Sequence, residues 1–202
     1  MSKARIAILI ILLVLVADQA LKIWVKTTMM IGEEHRIIGN WFILHFTENN
    51  GMAFGLEFGK EIGKYFLSIF RIVAVTFIGI YISRIIKKTV PLGFIIAVSL
   101  IFAGATGNII DSAFYGLLFD HSYYQLAQFL PEAGGYAGFL QGRVVDMFYF
   151  PIINGHWPSW SPINASEQFI FFRPVFNIAD SAITSGMFII LLFYRKTLQK
   201  EL

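Results

Sequence analysis

The run IAILIILLVLVADQALKIWV, Ile6–Val25, decides the architecture. It is almost wholly apolar and as long as a membrane-spanning helix, which takes about 20 residues, yet Asp18 and Lys22 sit inside it. Lys3 and Arg5 precede an apolar stretch from Ile6 to Ala17, a pattern shared with secretory signal peptides. No small-x-small cleavage site follows, and the segment continues through Asp18-Gln19-Ala20-Leu21-Lys22 to Trp24, so it is expected to stay as the first span. Tyr65–Ile86, Leu92–Ile110 and Val175–Tyr194 meet the same criterion. The expected fold class is an all-α membrane protein with four transmembrane helices, a small extracytoplasmic β-cradle and an interfacial loop or helix, forming one membrane-embedded domain over residues 1–202.

Composition agrees with lipid as the solvent. The chain of 202 residues is 56% hydrophobic and 14% charged, against roughly a quarter charged in soluble domains. With no cysteine, disulfide frameworks, cysteine–zinc sites and thiol catalysis are excluded. No basic run with interleaved aromatics suggests a nucleic-acid surface. Lys3 and Arg5, then Arg84, Lys87 and Lys88, then Arg195, Lys196 and Lys200 flank the spans on one side, which predicts cytoplasmic termini. The longer connections, 27–62 and 113–174, then face outward and carry Trp41, Trp157 and Trp160 as boundary anchors. Ile37–Thr47 is rich in β-branched and aromatic residues and is followed by Asn50-Gly51, which predicts a hairpin or cradle. A short helix is expected around Tyr123–Leu130.

Polar side chains inside a membrane are costly, so their depth is informative. At about 1.5 Å per helical residue, Asp18 lies roughly 10 Å below the outer boundary, Arg71 roughly 9 Å, and Asp180 roughly 7–8 Å with Asn177 above it. Asn108 falls within about one turn of the surface and Asp111 at it. All four helices thus place their polar residues in the same outer third. The stretch Arg143–Phe150 is apolar around Asp146 and too short to span, so it brings a further carboxylate to that level. Two carboxylates in one dry pocket share a proton, which makes one an acid and the other a base able to activate water. The alternative is that each pairs with a cation, Arg143 or Arg173, and that Asp18 and Lys22 merely neutralise each other four residues apart.

Other chemistries fit less well. His35, His45, His121 and His156 all fall in outer loops without His-Glu-x-x-His spacing, and no Gly-x-Ser-x-Gly occurs. Gly104-Ala105-Thr106-Gly107 is no phosphate loop; with Ala103 it offers small residues four apart, suited to close helix packing. A small proton-coupled carrier would use intramembrane Asp, Lys and Arg, but carriers bind near the midplane between inverted repeats, and no repeat is visible.

Five segments in order carry a family resemblance: Asp18-Gln19-Ala20-Leu21-Lys22, Asn49-Asn50-Gly51-Met52-Ala53-Phe54, Gly104-Ala105-Thr106-Gly107-Asn108-Ile109-Ile110-Asp111, Val144-Val145-Asp146 and Phe176-Asn177-Ile178-Ala179-Asp180-Ser181. The chain resembles, over essentially its whole length, the lipoprotein signal peptidases (signal peptidase II) of the bacterial cytoplasmic membrane. The resemblance implies an aspartic endopeptidase that cuts diacylglyceryl-modified prolipoproteins just before the lipid-modified cysteine. It implies no metal or organic cofactor, block by the cyclic peptide globomycin, no nucleic-acid partner, and a monomer. Asp146 and Asp180 match the catalytic pair. Asn49, Gly51, Gly104, Asn108, Asn177 and Ala179 match positions lining the substrate and inhibitor pocket, and Asp18 and Lys22 a motif supporting the site. Two departures stand out. Ser112 occupies a position that is usually Arg, for which Arg143 or Arg71 is a candidate substitute. Segment Ala113–Gly142 is longer than family members commonly have and reads as an insertion, a lid or a membrane-surface element.

Overall fold

The computed structural model describes residues 1–50, 60–156, 159–160, 168–171 and 173–201. Three long helices form the frame: α1 (Lys3–Thr28), α2 (Lys60–Ile85) and α3 (Leu92–Ile110). Beyond α3 the chain stays helical through a π-turn, Asp111–Tyr115, and a short α4 (Gly116–Leu118). The outer connection therefore begins later than residue 113. Helix α5 (Ile178–Phe193) is followed by α6 (Arg195–Glu201) across a 92° bend. The segments Lys3–Thr28, Gly63–Ile85 and Leu92–Leu118 are each long and apolar enough to cross a membrane, and α5 qualifies together with α6.

Helix α3 is the central post, packed against α1, α2 and α5. Its glycines set the spacing: a Cβ on Gly104 would lie 2.2 Å from the Ala179 carbonyl oxygen. On α5, a Cβ on Gly186 would lie 2.6 Å from the Ala97 carbonyl oxygen. Backbones approach this closely only where small residues face each other. The opposite helix faces leave Leu12, Leu13, Val16, Phe66, Phe70 and Phe188 exposed, as a lipid-facing surface would be.

Strands β1 (Glu34–Ile38), β2 (Phe42–Asn49), β3 (Val144–Tyr149) and β6 (Val175–Phe176) form an antiparallel sheet in the order β1-β2-β3-β6. A separate pair joins β4 (Ile153–His156) to β5 (Gln168–Phe171). The expected hairpin at Ile37–Thr47 is β1–β2, turning at Gly39, whose φ of +53° suits glycine. Beneath the sheet, Val25 and Met29 of α1 pack with Phe46, Val145 and Met147 and with Tyr115 and Phe119 from beyond α3.

Two expectations are corrected. No helix forms around Tyr123–Leu130; that stretch is irregular. Asp120 Oδ1 accepts the Gln128 amide at 2.6 Å, its Oδ2 accepts the Gln125 side chain at 3.0 Å, and Tyr124 and Leu130 have positive φ. These bonds close a loop on itself where a helix would need its own ladder. The last helix starts at Ile178 rather than Val175, because Val175 and Phe176 pair with Tyr149 and Phe148 of β3.

Candidate active site

The site lies where α1, α3 and α5 meet β2 and β3. Asn177 is the N-cap of α5: its side chain accepts the Asp180 amide at 2.8 Å, and the Asp180 carboxylate faces the Asn177 amide at 3.4 Å. This capping box satisfies amides that a helix start leaves open. The Asn177 side-chain Nδ2 then points away from α5 and donates to Asp146 Oδ1 at 2.7 Å, to the Val145 carbonyl at 3.2 Å and to Asn108 Oδ1 at 3.2 Å. Asn108 completes the link by donating from Nδ2 to Asp180 Oδ1 at 2.8 Å. Asn49, the last residue of β2, donates to Asp146 Oδ2. Asp146 and Asp180 are thus held by one set of asparagines.

Asp146 is 3% exposed. Burial, and next the negative charge of Asp180, push its carboxyl up to about 8, while Lys22, Asn49 and Asn177 pull the other way. Desolvation disfavours the charged form, and a like charge nearby adds to it. Both effects favour the protonated form of Asp146.

A second layer holds the first. Lys22, fully buried, donates to Asp18 Oδ2 at 2.9 Å, Asp111 Oδ2 at 2.8 Å and Asn108 Oδ1 at 2.9 Å. An ammonium has three donors, and each has an acceptor. By engaging the Asn108 oxygen, Lys22 turns the Asn108 amino group towards Asp180. Asp18 Oδ1 accepts the Ala179 amide at 2.9 Å, another open donor of the first turn of α5. Gly107 leaves room for Asp18, since a Cβ there would lie 2.7 Å from its Oδ2. Asp111 Oδ2 also accepts the Val145 amide at 3.2 Å, which ties α3 to the residue before Asp146.

Of the residues singled out in the sequence, Asp146, Asp180, Asn49, Asn108 and Asn177 come together, with Asp18 and Lys22 behind them. Gly104 and Ala179 are buried where α3 meets α5. Gly51 lies outside the described residues. The ion pairs considered for Asp146 and Asp180 take another form. Arg143 turns to Glu48, at 3.4 Å, Arg173 is exposed, and Arg71 interacts with the charge of Asp180. Ser112 bonds back to the Asn108 carbonyl at 3.0 Å. Sequence reading missed two residues of this layer. Asp111, expected at the surface, is fully buried, though its spacing of three and four from Asn108 and Gly107 puts it on their helix face. Gln19 donates to Asp18 Oδ2 at 3.0 Å and Asp111 Oδ1 at 2.9 Å.

The comparisons with known proteins agree with one another. The sequence model of the family described as Signal peptidase (SPase) II matches residues 10–195. The lipoprotein signal peptidase of Porphyromonas gingivalis (strain W83) is 49% identical over 198 residues, covering 98% of this chain and 86% of that one. That of Amoebophilus asiaticus (strain 5a2) is 39% identical over 194 residues, covering 95% of this chain and 78% of that one. A solved bacterial membrane enzyme, determined by the in meso method at 2.3 Å resolution, superposes with a TM-score of 0.59 at 26% identity, covering 96% of this chain and 90% of that one. The chain belongs to the signal peptidase II family.

Proposed function

We propose that the chain is an aspartic endopeptidase that removes signal peptides from diacylglyceryl-modified prolipoproteins, cutting just before the lipid-modified cysteine. The observation that carries this reading is the joint holding of Asp146 and Asp180 by Asn177 and Asn108, with the Asp146 carboxyl pushed up to about 8. Asp180 accepts the Asn108 side chain of α3 at 2.8 Å and the Asn177 amide at the start of α5 at 3.4 Å, which fixes its carboxylate for the role of base. In the proposed step Asp180 takes a proton from water, the resulting hydroxyl attacks the scissile carbonyl carbon, and Asp146 gives its proton to the carbonyl oxygen. Collapse of the tetrahedral intermediate breaks the C–N bond as Asp180 passes the proton it took from water to the leaving amine and the hydroxyl proton returns to Asp146.

Asn49, Gly51, Gly104, Asn108, Asn177 and Ala179 line the substrate pocket in this reading, with Asp18 and Lys22 as its support. The domain is one unit with four spans, counting α5 with its bent continuation, and both termini face the cytoplasm. The site then opens near the outer leaflet of the bacterial inner membrane, where a lipid-anchored substrate enters sideways. The partners are that substrate, membrane lipid and globomycin-type inhibitors, and the working form is a monomer.

The test is cleavage of a lipidated precursor followed by gel mobility. Asp146→Asn and Asp180→Asn should each lower turnover at least on the order of 10³-fold while the protein stays folded and inserted. Full activity in either variant would sink the assignment. Wild-type turnover should fall as pH rises through about 8, because Asp146 then loses the proton it donates. Globomycin should block the wild type.

A further inference from the structure

A second buried charge cluster lies outside the site, on the other face of the same strands. Lys26, fully buried one turn beyond Lys22, forms an ion pair with Glu48, whose side chain is 1% exposed, and donates to Ser122 Oγ at 2.9 Å. Ser122 Oγ lies 3.2 Å from the same Glu48 oxygen, and Arg143 Nη1 reaches the other oxygen at 3.4 Å. The Arg143 guanidinium lies over two rings, 5.4 Å from the centre of Tyr123 and 5.5 Å from that of Tyr136. Its backbone amide donates to the Tyr136 hydroxyl at 2.6 Å. Ser122, Tyr123 and Tyr136 all belong to the 113–142 segment.

Strand pairing shows what the cluster is attached to. Glu48 is opposite Val145, Thr47 opposite Asp146, and Asn49 opposite Val144. Because alternate residues face opposite sides, Asn49 and Asp146 share one face while Glu48 and Val145 share the other. A slip of one residue would exchange the faces and part Asn49 from Asp146. We propose that Glu48 is a positioning residue for Asp146, and that the 113–142 segment is the brace which, through Ser122, Tyr123 and Tyr136, locks Glu48 between Lys26 and Arg143. The segment thus braces the catalytic strand from behind. This inference rests on the aspartic reading of Asp146.

The test is turnover of a lipidated precursor against pH by the full-length protein in phospholipid vesicles. Glu48→Gln should lower turnover roughly tenfold or more, the scale on which small misplacements act. It should also move the alkaline limb upward by roughly half to one pH unit, as Asp146 loses a hydrogen bond that favours its charged form. The groups facing Asp146 are Asp180 and Asn177 at α5, Lys22 on α1 and Asn49 on β2, with Asp111 bonded to the neighbouring Val145 amide. The substitution replaces none of these residues and acts through the placement of Asn49 against Asp146. A merely structural loss would lower the yield of active enzyme and leave the limb in place, and that outcome, or unchanged turnover, overturns the proposal. Should Glu48→Gln fail to fold, Glu48→Gln with Lys26→Met removes both charges together and is judged by the same limb. An active Asp146→Asn measured alongside would instead overturn the aspartic reading, and this inference with it.

Discussion

Lys22 and Lys26 lie one turn apart on α1, both with fully buried side chains, and they serve different parts of the molecule. Lys22 finds its acceptors on helices: Asp18 on its own, Asn108 on α3 and Asp111 directly after it. Those residues also hold Asp180, the Ala179 amide and the Val145 amide, so Lys22 is linked to both carboxylates of the site. Lys26 finds Glu48 on β2, Ser122 in the 113–142 segment, and the rings of Phe119 and Tyr136 at 5.5 and 5.0 Å. A buried ammonium must be paired wherever it lies. What the partners do besides pairing decides whether the lysine belongs to the chemistry or to the frame.

The strongest way to break that contrast is Lys22→Met. It leaves Asp18 and Asp111, 1% and 0% exposed, facing each other without their shared cation, and removing one side of a buried pair costs about 3–5 kcal/mol. It also frees the Asn108 amide to turn away from Asp180. Cleavage should drop below detection, and thermal unfolding of the solubilised protein should come at lower temperature. Wild-type turnover in this variant would show that the Lys22 layer is frame only.

Lys26→Met is the matching change one turn away. Glu48 keeps Arg143 and Ser122, so the loss of stability should be smaller, about 1–3 kcal/mol, and turnover should fall several-fold and remain measurable. If Lys26→Met abolished cleavage as completely as Lys22→Met, the two clusters would be one functional unit.

The two lysines were also unequally legible. Asp18 and Lys22 are four apart on one helix, so their meeting follows from helix geometry alone. Asn177 and Asp180, three apart before an apolar run, likewise carry their capping geometry in their spacing. The partners of Lys26 lie in other elements, and only the packing of sheet against helix brings them together. Local pattern was least informative beyond α3. Asp111 and Ser112 follow Ile110 like the polar end of a span, yet the π-turn carries the helix on and buries Asp111. Around Tyr123–Leu130, side-chain bonds from Asp120 outweighed helix propensity. Asp146 stood out as a lone acid in an apolar stretch, but its strand register against Asn49 rests on pairing with a distant segment.

The finest distinction comes from Ser122→Ala. The hydroxyl is buried between Lys26 and Glu48, and the Ser122 carbonyl accepts the Ile31 amide at 3.2 Å. The substitution keeps that backbone bond and the Lys26–Glu48 ion pair, and removes only a side-chain hydroxyl. A loss of about 1 kcal/mol is expected, lowering the unfolding temperature by about 2–4 °C for a chain of this size. Turnover should stay within about twofold of wild type, because the link from Glu48 on β2 to Arg143, just before β3, is untouched. A much larger fall in turnover at that modest cost in stability would mean that Ser122 itself sets the Glu48 carboxylate. The brace would then act through a single hydroxyl rather than through Tyr123 and Tyr136 against Arg143.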